Sequence, residues 1–140
     1  MGSYLAPAAY FNRTSLMTKM ISLLLRLSVA FVWLYQGLWH KIFEVSAHHR
    51  AIMIQALGET WGPLTMKTLG FFEVTLGVLV LLHYKPKLMA LIQVALLIGM
   101  NGAGLFFAAK QIPDIGGMLT MNFVFIMAIL TNTLSPHQHE

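Results

Sequence analysis

Four long apolar runs, at residues 20–39 (one charge, Arg26), 64–82 (two, Lys67 and Glu73), 88–109 and 115–134 (none), constrain this chain more than any other feature of its sequence. Each is roughly 20 residues long, the length at which a helix rising 1.5 Å per residue crosses the ~30 Å hydrocarbon layer of a bilayer. Buried strands are less than half as long, and in lipid only helices and closed barrels satisfy their own backbone. The runs therefore predict an all-α integral membrane four-helix bundle, a single transmembrane domain over residues 1–140. Composition agrees: 57% of the residues are apolar and 10% are charged, too few charges for an ordinary water-facing surface. The net charge of +4 is spread over loops, which fits membrane flanks and excludes a nucleic-acid-binding stripe. There is no cysteine, so the chain supplies no disulfide, thiolate metal site or thiol redox pair of its own.

The links between the runs are short and set consecutive helices antiparallel, in up-down-up-down order. His83–Lys87 is a tight polar break in which Pro86 can open the third helix. Residues 110–114 form a second short turn before Gly116 and Gly117. The longer link contains residues 47–57, helical in composition and closed by Gly58, and predicts a short interfacial helix that lies on or caps the bundle. Residues 1–18 are expected along the membrane surface. The first apolar run is too long for a secretory signal and lacks a small-residue cleavage site after it, so it reads as a retained anchor. Trp39, Trp61, Tyr84 and Tyr10 suit interface positions. The cations divide evenly between the two sides, four against four, so charge alone does not orient the bundle.

Two ionisable residues fall at membrane depth, Arg26 and Glu73. Such groups cost at least ~2.5–3.5 kcal/mol to insert and are normally paired or functional. Counted from Lys19 and His83, Arg26 stands roughly 10 Å and Glu73 roughly 15 Å above one membrane face, and an intramembrane ion pair between them is expected. Such a pair fixes register and partners in a bundle; a carboxylate left unpaired there is a proton-relay candidate. A second polar layer, higher up, brings together Gln36, His40, Lys41, Asn101 and Asn122 beside Trp33. These six line an expected pocket for a small or amphiphilic molecule, or, more plainly, hold helices together by amide hydrogen bonds.

No metal or haem site is expected. His40 and His83 end on opposite sides, the adjacent His48 and His49 should face apart on a helix, and the tail histidines His137 and His139 lack further ligands. The catalytic residues, if there are any, are not legible.

The segments Arg26-Leu27, Trp33-Leu34-Tyr35-Gln36-Gly37-Leu38-Trp39-His40-Lys41 and Gly70-Phe71-Phe72-Glu73-Val74-Thr75-Leu76-Gly77 resemble the DoxX-like family of small four-helix membrane proteins. The resemblance runs from about residue 22 to 134, with Arg26, Lys41, Glu73 and Asn122 as matching positions. It implies a bacterial cytoplasmic membrane, both termini cytoplasmic, and a link to redox or quinone systems, since the family takes its name from a membrane subunit of a thiosulfate:quinone oxidoreductase. The expected role is a membrane component that binds a hydrophobic molecule such as a quinone, or a partner subunit or second copy, and that is not a complete enzyme alone. The alternatives are a small proton-coupled transporter using Glu73 and a structural or assembly factor.

Overall fold

The computed structural model describes residues 7–45 and 47–134, with side chains from residue 15 onward; Tyr10, His137 and His139 lie outside the described side chains. Helix α1, Pro7–Tyr35, runs directly into a π-helical segment, Gln36–Ile42. It is followed by α2 (Ala47–Leu81), α3 (Pro86–Ala108), a 3-10 turn (Ala109–Gln111) and α4 (Ile115–Leu134). All four helices are long and apolar enough to cross a membrane, and the described residues contain no strand.

Helix α1 begins thirteen residues before the expected start at residue 20, so residues 7–18 extend it rather than lie along the surface. Proline is favoured at a first helical position, and the following stretch contains no further proline or glycine to stop the helix. Pro86 opens α3 in the same manner. At the head of α4 the Asp114 carboxylate accepts a 2.9 Å hydrogen bond from the Gly117 N–H, a helix cap that uses one of the backbone donors left over at a helix start.

Helix α2 is two helices joined at Gly58, whose φ of 81° and ψ of 171° leave the helical region. The added Cβ of an alanine at Gly62 would lie 2.8 Å from the Met53 carbonyl oxygen. Nine residues of straight helix span ~13.5 Å, so the short arm, residues 47–57, folds back against the start of the long arm, residues 59–81. This short arm is the capping helix expected from its composition. Its anchor is electrostatic as well: Glu44, just before it, lies 3.1 Å from Lys67 on the long arm and 3.8 Å from Arg50 on the short arm.

The four long helices form a ring in which α1 packs on α2 and α4, and α3 on α2 and α4. Trp33 occupies the middle: it is 2% exposed, packs beside Ala30, Val29, Leu76 and Ile129, and sets its ring 5.6 Å from that of Phe125 on α4. Its indole N–H donates a 2.8 Å hydrogen bond to the Gln93 amide on α3. The outer faces carry Phe31, Leu91, Phe106 and Met121, each at least two-thirds exposed. A water-facing surface of this kind would aggregate, whereas hydrocarbon tails are as apolar as these side chains.

Candidate functional site

Close packing of α1 and α2 builds the site. Gly37 and Gly70 face each other so tightly that a Cβ on Gly37 would sit 2.6 Å from the Gly70 carbonyl oxygen; further along, a Cβ on Gly77 would meet the Leu34 side chain at 3.0 Å. Small residues at a membrane helix crossing let backbones approach in this way. The contact sets the register: Glu73 stands level with residues 34–37 of α1.

That register corrects the expected Arg26–Glu73 ion pair. Arg26 lies about ten residues, or roughly 15 Å of helix, from the level of Glu73, further than its side chain reaches, and it is only half-buried. Instead the Lys41 ammonium donates to both Glu73 oxygens, each at 2.7 Å. Lys41 is 5% exposed and Glu73 1%. Lys41 belongs to the π-helical segment, in which the Phe43 N–H donates to the Leu38 carbonyl five residues back, at 2.9 Å. Such widened turns are rare and recur at functional sites; this one sends Lys41 inward.

Above the ion pair lies a chamber of about 410 Å³. Five of the six expected pocket residues, Trp33, Gln36, Lys41, Asn101 and Asn122, line it, and Glu73 joins them. Asn122 Nδ2 donates to Asn101 Oδ1 at 2.9 Å, tying α4 to α3, while Asn101 Nδ2 donates to the Leu97 carbonyl at 2.6 Å. Both expected uses of these asparagines, helix bonding and pocket wall, are therefore present in one arrangement. The Gln36 Oε1 is buried on the chamber wall with no hydrogen-bond partner.

The sixth residue, His40, does not line the chamber. With Lys41 turned inward, its neighbour packs edge-on against Tyr35 at 5.0 Å and stacks on His49 at 5.1 Å. His49 takes the wall position in its place, with His48 beside it. The rings of His48 and His49 lie 4.2 Å apart, so they do not face apart as expected; both stand in the first turn of the short arm, where it bends over the π-helical segment. Among the described residues no three His, Cys, Asp or Glu side chains gather as metal ligands.

A second, apolar cleft of about 460 Å³ adjoins the chamber between the short arm, the long arm of α2, and α3. The two share seven residues, Lys41, His49, Ile52, Met100, Asn101, Ile112 and Met118. Sequence reasoning overlooked this cleft, as it did Gln93. Its signal was present: His49, Ile52, Met53, Ala56 and Leu57 recur at helical spacing on one face of the short arm, and all five line the cleft.

The family model described as the DoxX-like family matches residues 30–130, more than half of the chain. The chain belongs to the DoxX-like family. The matched span of this DoxX-like protein holds Trp33, Lys41, Glu73, Asn101 and Asn122 and begins after Arg26, so the site described here lies within the family's shared region while Arg26 lies outside it. No curated protein and no solved structure matches this DoxX-like chain.

Proposed function

We propose that this membrane protein is the ligand-binding component of a redox or quinone-linked system, taking up an amphiphile whose ring-like polar head enters the chamber. The observation that supports this reading is the chamber wall: an aromatic side formed by Trp33 and Phe125, with a few hydrogen-bonding groups, Gln36, Lys41, Asn101 and Asn122, around about 410 Å³. Small-molecule sites are of this size, largely apolar, with a small number of placed polar groups. A quinone head has a flat conjugated face and two carbonyl oxygens that such a wall accommodates. The donors left to serve those oxygens are the Gln36 amide nitrogen and, in its Nδ1–H tautomer, the His49 ring, whose Nδ1 has no hydrogen-bond partner.

The proton-coupled transporter has less support, because both oxygens of Glu73 are held by Lys41, and a proton-exchanging carboxylate must first break that pair. The assembly-factor reading leaves the chamber without a purpose. A cytoplasmic-membrane setting with cytoplasmic termini belongs to the same proposal and puts the chamber toward the outer face.

The test uses Trp33 as a reporter. With the exposed Trp39 and Trp61 replaced by phenylalanine, duroquinone (tetramethyl-1,4-benzoquinone) is titrated into the protein in nanodiscs. Saturable quenching of Trp33, weakened about tenfold by Asn122→Leu, a change worth ~1.4 kcal/mol, supports the proposal. Quenching that rises linearly without saturating overturns it.

A further inference from the structure

The apolar cleft is lined by α3 residues that are small where they face it. Ala95, Gly99 and Ala103 recur every fourth residue along one stripe of α3, and all three line the cleft. A Cβ placed on Gly99 meets no atom within 4 Å, so α3 leaves room that nothing in the described chain fills. Opposite stand Met66 and Leu69 of the long arm, with Met53 and Leu57 of the short arm above. Methionines adapt their shape to what they contact. The cleft opens into the polar chamber at Lys41, His49 and Asn101 and toward the hydrocarbon layer beside Leu96 and Phe107.

Hydrocarbon gains little free energy by moving from lipid into an apolar protein surface. The cleft is therefore not a device for strong tail binding. It is a path: a ligand dissolved in the bilayer can bring its head sideways into the chamber while its tail stays in apolar surroundings throughout. We infer that the cleft between the short arm, the long arm of α2, and α3 is a lateral portal that holds the hydrocarbon tail of the ligand whose head sits in the chamber. This rests on the proposed chamber function and narrows it to ligands that carry a long apolar chain and reach the site from within the membrane. The short arm, held by Glu44 to Lys67 and Arg50, roofs the portal.

The experiment is photo-crosslinking in nanodiscs with a trimethyl-1,4-benzoquinone that bears a decyl chain with a diazirine at its middle. Residue-level peptide mapping is expected to find the label on Ala95, Gly99 or Ala103 of α3 and on Met53, Met66 or Leu69 of α2, which line the cleft, and competition with unlabelled decyl quinone to remove it. Gly99→Leu, which fills the cleft, is expected to abolish that label yet leave saturable quenching of Trp33 by tail-less duroquinone unchanged. Label confined to the outward-facing Leu91, Ile98 and Phe106, or label retained in Gly99→Leu, overturns the portal while leaving the chamber reading intact. Label in the cleft that unlabelled decyl quinone does not displace, or that a diazirine phospholipid reproduces equally, also overturns it, since the cleft then holds bulk lipid. Duroquinone quenching that does not saturate in the unaltered protein is the separate outcome that removes the chamber reading.

Discussion

Lys41 reaches across from the π-helical end of α1 to hold both carboxylate oxygens of Glu73, each at 2.7 Å, in the interior of α2. The pair closes the base of the chamber and is made reachable by the Gly37–Gly70 contact one turn away. Replacing one member of a buried ion pair leaves an uncompensated charge, at a typical cost of about 3–5 kcal/mol, whereas replacing both by apolar groups is often neutral. Glu73→Leu and Lys41→Met are each expected to destabilise the fold by that amount, and the double variant to recover most of it. Arg26→Met removes no partner of Glu73 and is expected to cost no more than about 1 kcal/mol, the upper range for a charge outside a buried pair. Unfolding in mixed micelles measures all four.

The glycines of the bundle divide into two kinds. Gly37→Ala puts a methyl group against the Gly70 carbonyl, and Gly70→Ala puts one against the Gly37 carbonyl and the Lys41 Cβ, at distances under 3 Å in each case. Overpacking of that sort costs roughly 1–3 kcal/mol. Gly102→Ala on α3 meets nothing within 4 Å, and with a helix preference of about 0.8–1.0 kcal/mol for alanine over glycine it should stabilise. The same unfolding assay should give opposite signs for the two kinds.

Gln93 is expected to matter more than its place in an uncharged span suggests. Gln93→Leu leaves the buried Trp33 indole N–H without its 2.8 Å acceptor, a loss of about 1–3 kcal/mol. The emission of Trp33, isolated as above, should shift as that hydrogen bond disappears, and Gln93→Glu, which keeps an acceptor, should restore the original spectrum more closely than leucine.

Asp114 caps α4 from the chamber rim. Asp114→Ala should cost about 1 kcal/mol, and Asp114→Asn should recover most of it, read as melting temperature. Orientation is checked by single cysteines in this cysteine-free chain: with cytoplasmic termini, an impermeant maleimide added to intact cells should label Lys110→Cys and spare Lys87→Cys.

The number of spans and the two tight turns were legible because hydrophobic length and proline placement act locally. The short arm was legible for the same reason, with Gly58 marking its end. The partner of Glu73 was not. Depth counted from Lys19 and His83 assumed that α1 begins and α2 ends at one level, yet α1 continues to Pro7 and its crossing with α2 is fixed elsewhere, at Gly37 and Gly70. Matching those two glycines, rather than the charged ends, would have set Glu73 near residue 35 and made Lys41 the partner within reach. The inward turn of Lys41 and the displacement of His40 from the chamber wall depend on a widened helical segment, for which an α-helical period of 3.6 gives no warning. The pocket's amides survived the error because Asn101 and Asn122 are joined by the short α3–α4 link, which leaves little room for their register to slip.

Native mass spectrometry of the protein released gently from detergent decides whether the chamber and cleft hold such a ligand. One long-chain, ring-headed amphiphile per chain is expected in the unaltered protein and none in a variant that combines Gly99→Leu with Asn122→Leu. A chain that emerges bare, or that carries only the phospholipids of its bulk membrane in both proteins alike, would contradict the proposed function.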